Sequence, residues 1–361
     1  MHPRRILFVA PPVGPIGSGE AGGVETHLLS LSPILAERGH AIGIVAPAGS
    51  VAPEEGVTLY PVPGDASPSA TRAERSARTV VRTGGLLENM WEQALRLQRR
   101  YDAVIGVSYD WLPFYLTPFF STPVGHWISI CSAMDEVDSM IERRWREGGL
   151  RLAMYTGAQA RTYAFLDEGA GVQLLYGGVD TTVFQYNSQP RERLCWAGRI
   201  SPEKGLEDAI AVACALDIPL DVCGKIQDDA YWQAVMRDAG GQVVYHGFLG
   251  PAELQRRYAG ARATLATPHW IEAFGNTVIE SMACGTPVVA YDRGGPAEIV
   301  EHGRSGILMP AEAGVAGLVA GVRAAGGLDR RVVRARAEGF SFDRMADRFE
   351  AWVESVVGGV G

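Results

Sequence analysis

Several features that would assign this chain to other protein classes are missing from its sequence. Its 361 residues include only five cysteines, an odd number without C-x-x-C spacing, which argues against a disulfide framework or a cysteine zinc site. No apolar run is long enough to span a bilayer. No basic run alternates with aromatic residues, and the formal net charge is −8, which argues against a dedicated nucleic-acid binder. We therefore expect a cytoplasmic protein with reduced core cysteines and no stable membrane insertion.

The length and the pattern of apolar residues favour two α/β domains. The chain is longer than most single domains, and its 47% hydrophobic and 20% charged residues are typical of soluble proteins. Short apolar runs alternate with longer helical patterns, which indicates parallel sheets with right-handed crossovers. We place the domains at residues 1–178 and 190–341, with residues 185–193 as a polar hinge and a final amphipathic helix over residues 342–357.

The same pattern predicts the individual elements. Helices are expected at residues 24–38 and 134–152, and one or two helices over about residues 72–100, where the apolar spacing runs through Val80 and Trp91. The predicted strands are residues 6–10, 41–46, 57–62, 103–107 and 123–129 in the first domain, and 194–197, 220–225, 243–249, 263–267 and 288–290 in the second.

A literal G-x-G-x-x-G follows the first predicted strand, at residues 17–22. A dinucleotide site would need an acidic residue at the end of the second strand, to bind the ribose. No carboxylate occurs there before Glu54, and the loop is longer than the tight turn of such sites, so we reject an NAD site. Gly22 and Gly23 are instead expected to present backbone N–H groups at a helix start to a phosphate.

The most informative stretch is W-I-E-A-F-G-N-T-V-I-E-S-M-A-C-G, at residues 270–285. It follows an apolar run typical of a buried strand, Asn276 is the expected N-cap of a helix, and Gly285 suits the position after the helix end. Glu272 then lies in the turn before this helix, and Glu280 lies one to two turns inside it.

The two carboxylates of this stretch allow two interpretations. Glu272 and Glu280 can accept hydrogen bonds from the hydroxyls of a sugar nucleotide, while the backbone at Phe274 and Gly275 faces its diphosphate. Alternatively, they are a solvated turn residue and a surface helix residue. The residues alone leave both interpretations open.

Two further groups of residues have a similar ambiguity. Arg199 and Lys204 flank a turn just before a predicted helix, where they either bind a diphosphate or are ordinary loop charges. An aromatic cluster after the fourth strand belongs to the core or stacks on a flat acceptor. Its members are Tyr109, Trp111, Phe114, Tyr115, Phe119, Phe120 and Trp127, with His126 as a weak candidate beside them.

Residues 272–290, E-A-F-G-N-T-V-I-E-S-M-A-C-G-T-P-V-V-A, resemble the donor-site signature of the retaining glycosyltransferases of family four nearly residue for residue. The resemblance extends to G-R-I-S-P-E-K-G at 198–205 and G-G-P-A-E-I-V at 294–300, and more loosely to the first half of the chain. It implies the GT-B fold, with two Rossmann-like domains facing each other across a cleft and the C-terminal helix crossing back to the first domain. A nucleotide sugar would be held mainly by the second domain.

The resemblance also implies roles for single residues. Arg199 and Lys204 would stabilise the departing diphosphate, and Glu272 would orient the sugar, so these three are the predicted catalytic residues. The donor-binding residues that it implies are Gly22, Gly23, Phe274, Gly275, Asn276 and Glu280, with Glu280 on the ribose.

The chain departs from the family at one sugar contact. Many members carry a histidine near the end of the fifth strand, where this chain has Ser129, with His126 three residues earlier. No Asp-x-Asp occurs in the chain, so the metal-binding pair of the other major glycosyltransferase architecture is absent. We expect no cofactor and no obligatory metal.

For the acceptor, the opening L-F-V-A-P-P-V-G-P-I-G-S-G and the H-W-I-S of the fifth strand look like cyanobacterial UDP-glucose:tetrahydrobiopterin glucosyltransferases. This implies transfer of glucose from UDP-glucose to a pterin, with Tyr109, Trp111, His126 and Ser129 as acceptor candidates. Lipid, glycan and natural-product acceptors stay open, as do a sugar-nucleotide epimerase and a binding protein without catalysis. The nucleotide base, the sugar epimer and the oligomeric state do not follow from the sequence.

Overall fold

The computed structural model describes residues 2–17, 22–53, 56–66, 74–166, 171–237 and 239–359. The chain divides into two compact units. The N-terminal unit is Met1–Tyr176 together with Phe342–Gly361, and the C-terminal unit is Gly177–Ser341.

The N-terminal unit is built on a seven-stranded sheet whose neighbouring strands are all parallel. The strands are β1 (Arg5–Val9), β2 (Ala41–Pro47), β3 (Val57–Val62), β4 (Ala103–Gly106), β5 (Val124–Trp127), β6 (Arg151–Met154) and β7 (Gln173–Leu174), in the order β3-β2-β1-β4-β5-β6-β7. The helices that follow in this part of the chain are α1 (Gly23–Glu37), α2 (Leu86–Leu97), α3 (Trp111–Leu116), α4 (Asp135–Arg146) and α5 (Gly157–Ala160).

Two helix predictions in this unit were too long. Residues 74–85 are not helical, and Val80, predicted as part of an apolar face, is 65% exposed. Gly84 and Gly85 explain this difference, because α2 begins directly after them and glycine disfavours a helix interior. The helix predicted over 134–152 ends at Arg146, before another glycine pair at 148–149, and β6 follows it.

The C-terminal unit has a six-stranded sheet that is parallel throughout. Its strands are β8 (Leu194–Ala197), β9 (Leu220–Cys223), β10 (Val243–Tyr245), β11 (Ala263–Ala266), β12 (Val288–Tyr291) and β13 (Gly306–Met309), in the order β10-β9-β8-β11-β12-β13. Its helices are α6 (Leu206–Leu216), α7 (Asp229–Arg237), α8 (Pro251–Gly260), α9 (Asn276–Ala283), α10 (Gly294–Ile299), α11 (Gly314–Ala325) and α12 (Arg330–Glu338). Both units are Rossmann-like, as predicted.

The hinge predicted at residues 185–193 is bound to the C-terminal unit. The backbone N–H of Asn187 donates to the carbonyl of Cys284 at 3.1 Å, and its side-chain amide donates to the carbonyl of Ala259 at 2.8 Å. The Arg330 guanidinium donates in turn to the Asn187 carbonyl at 2.7 Å. A polar composition indicated a linker here, but these long-range hydrogen bonds fix the segment in place.

The last helix, α13 (Phe342–Gly358), packs on the sheet of the N-terminal unit. The Phe349 ring stacks on Phe8 of β1, with centroids 5.4 Å apart. Gly125 of β5 makes room for Trp352, because a Cβ at this glycine would lie 2.9 Å from the indole.

An acidic stripe on α13 adds an ionic contact to this packing. Arg38, just after α1, pairs with Asp343 at 3.2 Å, Asp347 at 2.8 Å and Glu350 at 2.7 Å. Arg4 pairs with Glu354 at 2.6 Å. The helical spacing of these four carboxylates places them on one face, so the cations near β1 and α1 bind that face.

The cysteine prediction was correct in part. All five cysteines are thiols outside any disulfide, and Cys195, Cys223 and Cys284 are buried. Cys131 is only half-buried and Cys214 is exposed, so the prediction of core positions was wrong for these two. Cys214 lies on the solvent side of α6, and a helix that is apolar on most sides does not reveal from its sequence which side is buried. Within the described ranges, no helix is both long and apolar enough to cross a membrane.

Replacing Arg38 with alanine is expected to loosen α13. Glu350 is 9% exposed and would lose a cationic partner, so we expect about 1–3 kcal/mol less local stability. Amide hydrogen exchange of α13 peptides in the intact chain measures this. Arg96→Ala is the matched control, because it removes an exposed pair with Glu92 that should contribute less than about 0.5 kcal/mol. Unchanged protection of α13 in Arg38→Ala would contradict this account.

Candidate functional site

The sheet of the C-terminal unit has a topological switch point between β8 and β11. The chain leaves β8 towards β9 on one side and leaves β11 towards β12 on the other. In parallel α/β sheets, ligands bind in the crevice outside the carboxyl ends of the strands at such a point. Arg199 and Lys204 follow β8 and Glu272 follows β11, so the three predicted catalytic residues share this edge of the sheet.

The structure brings two of these residues into contact. Lys204 Nζ lies 2.5 Å from Glu272 Oε2, and the two side chains are only 18% and 21% exposed. Burial on its own would raise the pKa of Glu272, but the charge and hydrogen bond of Lys204 outweigh it and lower this pKa below its usual value. Glu272 is therefore an ionised carboxylate at neutral pH.

Arg199 is more open than this pair. Its guanidinium donates to Gln227 Oε1 at 2.7 Å and lies 3.3 Å from Glu203 Oε1. Its side chain is 39% exposed, so an incoming anion can reach it in competition with Glu203.

Trp270, which the sequence analysis did not single out, joins these groups. Its indole N–H donates to Glu272 Oε2 at 3.1 Å. Lys204 Nζ lies 4.9 Å from the ring centroid, and the guanidinium carbon of Arg199 lies 5.9 Å from it. The sequence does place an aromatic residue two positions before Glu272, in a loop at a strand end. It does not show that the indole ring points towards Lys204 and Arg199, because that orientation depends on the fold.

Gly205 fixes the turn that carries Lys204. Lys204 is the last residue of the short 3-10 turn Pro202–Lys204, and Gly205 follows with φ of 62°. A Cβ at Gly205 would lie 2.0 Å from the carbonyl oxygen of Thr267, just after β11. The Thr267 hydroxyl donates to the Gly205 carbonyl at 2.7 Å, so only glycine allows the two loops to approach this closely.

A second close approach fixes the loop that carries Glu272. Gly295 in α10 donates its N–H to the Glu272 carbonyl at 2.7 Å. A Cβ at Gly295 would lie 1.9 Å from the carbonyl oxygen of Phe274. The G-G-P segment at residues 294–296 therefore packs against the backbone of the loop that carries Glu272 and fixes its position.

The start of α9 differs from the prediction. Gly275, with φ of 107°, occupies the N-cap, and Asn276 is the first helical residue, so the prediction of Asn276 as the N-cap was wrong. Gly275 takes the cap because its backbone enters the helix from a left-handed conformation, which glycine adopts without strain. The Phe274 ring is buried and packs against Phe340, with centroids 6.3 Å apart, so its backbone is the part that can contact a ligand.

Glu280 is half-buried in α9. The Tyr258 hydroxyl of α8 donates to its Oε2 at 3.3 Å. Burial raises the pKa of Glu280 to about 7, although this hydrogen bond acts in the opposite direction. A ligand that donates hydrogen bonds to this carboxylate would favour its ionised form.

In the N-terminal unit, the glycine pair does not present both amides to solvent. Gly22 is the N-cap of α1 and Gly23 its first residue. The Gly22 N–H donates to Glu25 Oε2 at 2.8 Å, so a phosphate would have to displace this carboxylate, and phosphate binding by the glycine amides stays a prediction. A carboxylate in the first turn already complements this helix start. Residues 18–21 of the preceding loop lie outside the described residues.

Two of the four acceptor candidates are structural. His126 is 0% exposed, contacts Thr117 Oγ1 at 2.8 Å and packs against the Phe114 ring, and burial lowers its pKa to about 3. The Tyr109 hydroxyl donates to Asp138 Oδ1 at 2.7 Å and accepts the Met134 N–H at 2.9 Å, at the start of α4. These side chains hold the interior together, so we withdraw both as acceptor contacts.

Trp111 and Ser129 remain accessible. Ser129 is half-buried in the loop after β5. Trp111 opens α3 and stacks one face on Tyr115, with centroids 4.7 Å apart. A cavity of about 600 Å³ in the N-terminal unit is lined by residues including Thr79, Val81, Trp111, Asp135, Met140 and Arg143. No group of three or more His, Cys, Asp or Glu side chains among the described residues is arranged to hold a metal ion.

Comparison with known proteins finds a family match within the C-terminal unit. Residues 180–325 match the family model of the glycosyl transferases group 1. The chain is 25% identical over 360 residues to a D-inositol 3-phosphate glycosyltransferase of Pseudarthrobacter chlorophenolicus, covering 85% of this chain and 83% of that protein. It is 32% identical over 192 residues to a GDP-mannose-dependent alpha-mannosyltransferase of Mycolicibacterium smegmatis, covering 48% of this chain and 50% of that protein.

The fold has solved counterparts. HepE of Anabaena, crystallised with UDP and glucose, superposes with a TM-score of 0.74 at 16% identity, covering 98% of this chain and 100% of that chain. At this identity the match shows the fold. The switch-point residues Arg199, Lys204 and Glu272 lie inside the segment that matches the family model.

Gly295→Ala is expected to destabilise the C-terminal unit by about 1–3 kcal/mol, because the new Cβ would meet a backbone oxygen that cannot rotate away. The urea-unfolding midpoint of the intact chain measures this. Gly327→Ala is the control, since its Cβ would meet nothing closer than the Ala324 oxygen at 3.7 Å. Equal midpoints for the two variants would show that the Phe274 loop is not supported by α10.

Proposed function

We propose that this chain transfers a hexose from a nucleotide sugar, UDP-glucose in the first place, to a hydroxyl of a small molecule with retention at the anomeric carbon. The observation that carries the proposal is the cluster of Arg199, Lys204 and Glu272 at the switch point of a group 1 glycosyltransferase domain. Cations at this edge of the sheet suit a diphosphate, and a carboxylate beside them suits sugar hydroxyls.

The diphosphate is the leaving group in this proposal. Lys204 and Arg199 would stabilise the negative charge that develops on it, which is a role for preformed charges in a partly dry site. In the free protein each cation already pairs with a carboxylate: Lys204 with Glu272 and Arg199 with Glu203. We leave Gly22 and Gly23 out of this role, since the Gly22 amide is bound to Glu25.

The two carboxylates have separate proposed roles. Glu272, ionised and held at the loop after β11, would accept hydrogen bonds from the sugar, and Glu280 would accept them from the ribose diol. The Phe274 and Gly275 backbone, with Asn276 at the helix start, would line the same donor site. The acceptor's proton would pass to the departing phosphate, so the reaction needs neither a second catalytic carboxylate nor an obligatory metal.

The donor and acceptor are supported by different observations. HepE, a similar structure, was solved with UDP and glucose, whereas the mycobacterial relative is named for GDP-mannose, which makes GDP-mannose the alternative donor. For the acceptor we propose a pterin such as tetrahydrobiopterin, bound in the cavity that Trp111 helps to line, where an aromatic side chain can stack on a flat ring. The relative named for inositol 3-phosphate makes a polyol phosphate the alternative.

Mass spectrometry of the purified protein with UDP-glucose and tetrahydrobiopterin, without added metal, tests this proposal. We expect a product heavier than the pterin by one hexose, with the anomeric configuration of the donor by NMR. Lys204→Ala should lower kcat by on the order of a hundredfold or more, because the diphosphate loses its nearest cation. Arg331→Ala, an exposed cation of the same unit paired with Asp329, is the matched control and should not change kcat.

The outcomes separate the parts of the proposal. UDP release without a glucosylated pterin would exclude the pterin as the acceptor but would still support the proposed donor site. Polyol phosphates would then be tested as acceptors, and GDP-mannose as the donor. Near-normal turnover in Lys204→Ala would contradict the role of the switch-point cations. Epimerised nucleotide sugar without acceptor would indicate an epimerase instead of a transferase.

Binding of UDP-glucose is expected to weaken as the pH falls below 7. The free protein holds Glu280 with a pKa of about 7, and ribose hydroxyls need its ionised form as acceptor. Between pH 8 and pH 6 the dissociation constant should rise by about tenfold, measured by calorimetry without acceptor. UDP-glucose has no ionisation of its own in this range. Glu280→Gln should bind more weakly at pH 8 and show a flatter profile; an equally steep profile would exclude Glu280 from the ribose site.

A further inference from the structure

We propose that Trp270 is a positioning residue of the donor site, which keeps Lys204 and Arg199 in place while Glu272 turns to the sugar. This inference rests on the proposed function, because it concerns the same nucleotide-sugar site. It starts from three contacts of one indole ring: a hydrogen bond to Glu272 and the approach of two cations to its π system.

The contacts have the geometry of attractive interactions. Lys204 Nζ at 4.9 Å and the Arg199 guanidinium carbon at 5.9 Å both lie within the distance at which a cation is attracted by a tryptophan ring. The indole N–H at 3.1 Å from Glu272 Oε2 shares that oxygen with Lys204 Nζ at 2.5 Å. One side chain therefore contacts all three predicted catalytic residues.

The backbone that leads into Trp270 is held on two sides. The His269 N–H donates to the Glu203 carbonyl at 2.9 Å, and the Arg293 guanidinium donates to the His269 carbonyl at 2.9 Å. The His269 imidazole also contacts Asp208 Oδ2 in the first turn of α6 at 2.9 Å. The position of the indole is therefore set by the β8 loop as well as by its own loop.

A neutral partner suits this task better than a charged one. A diphosphate must compete with Glu272 for Lys204 and with Glu203 for Arg199, because each of these carboxylates already forms an ion pair with its cation. An indole attracts both cations without adding negative charge, so it does not repel the diphosphate. When Lys204 exchanges Glu272 for the phosphate, its ammonium stays beside the ring, and the indole N–H remains as a donor that orients Glu272 towards the sugar.

Two substitutions separate the ring from its N–H. Trp270→Phe keeps an aromatic face and removes the donor, whereas Trp270→Leu removes both. We expect Trp270→Leu to weaken binding of UDP by about 5- to 30-fold, because two cation contacts are lost. Trp270→Phe should bind UDP within about twofold of wild type, yet lower kcat with the nucleotide sugar by about fivefold, since Glu272 loses one hydrogen bond.

Calorimetry with UDP, or with GDP if that binds more tightly, gives the first readout, and kcat against KM for the nucleotide sugar gives the second. Trp145→Leu, in α4 of the N-terminal unit, is the control for the loss of a tryptophan. Thermal midpoints identify any variant that fails to fold.

If Trp270→Leu binds UDP as tightly as the wild-type protein does, the inference is overturned and the proposed function is unaffected. The same would follow if Trp270→Phe lost as much affinity as Trp270→Leu, or kept the full kcat. Wild-type protein that binds neither nucleotide would overturn the proposed function, and the inference with it.

Discussion

The ion pair between Lys204 and Glu272 is the interaction on which the candidate site depends. It joins the loop after β8 to the loop after β11, across the point where the strand order of the C-terminal sheet reverses. Two largely buried charges contribute little net stability, because removing them from water costs about as much as their attraction returns. Their position is more informative than their strength: a lysine and a carboxylate meet where this fold binds ligands.

The pair is held by backbone that comes too close for any side chain. Gly205 lies against Thr267 and Gly295 lies against Phe274, at distances that a Cβ would reduce to about 2 Å. These contacts explain why glycines recur in the motifs that flank the site, and why the charged residues between them have defined positions. The signature thus combines residues that are proposed to contact a ligand with glycines that bring two loops together. The sequence pattern does not place Trp270 in either group, because its proposed role depends on the contacts of its ring with Glu272, Lys204 and Arg199.

Much of the fold was predictable because buried parallel strands are short apolar runs between helical patterns, and Leu194–Ala197 and Val57–Val62 were predicted at their observed limits. The differences from the prediction have causes that the spacing of residues along the chain does not show. Residues 74–85 carry apolar residues at helical spacing, but they pair with the start of α4, where the Thr79 N–H donates to Glu136. The spacing also did not show that the Gly22 amide, expected to bind a phosphate, donates to the carboxylate of Glu25 in the free protein. The roles of His126 and Trp270 depend on contacts between residues far apart in the chain, which spacing along a sequence does not express.

A crystal structure of the intact protein with UDP tests the central claim most directly. The account predicts phosphate oxygens at about 2.7–3.2 Å from Lys204 Nζ and from the Arg199 guanidinium, with the ribose hydroxyls on Glu280. It also predicts that Trp270 still lies beside both cations in the complex. UDP bound away from the switch point, or bound there while Lys204 and Arg199 contact only Glu272 and Glu203, would contradict it.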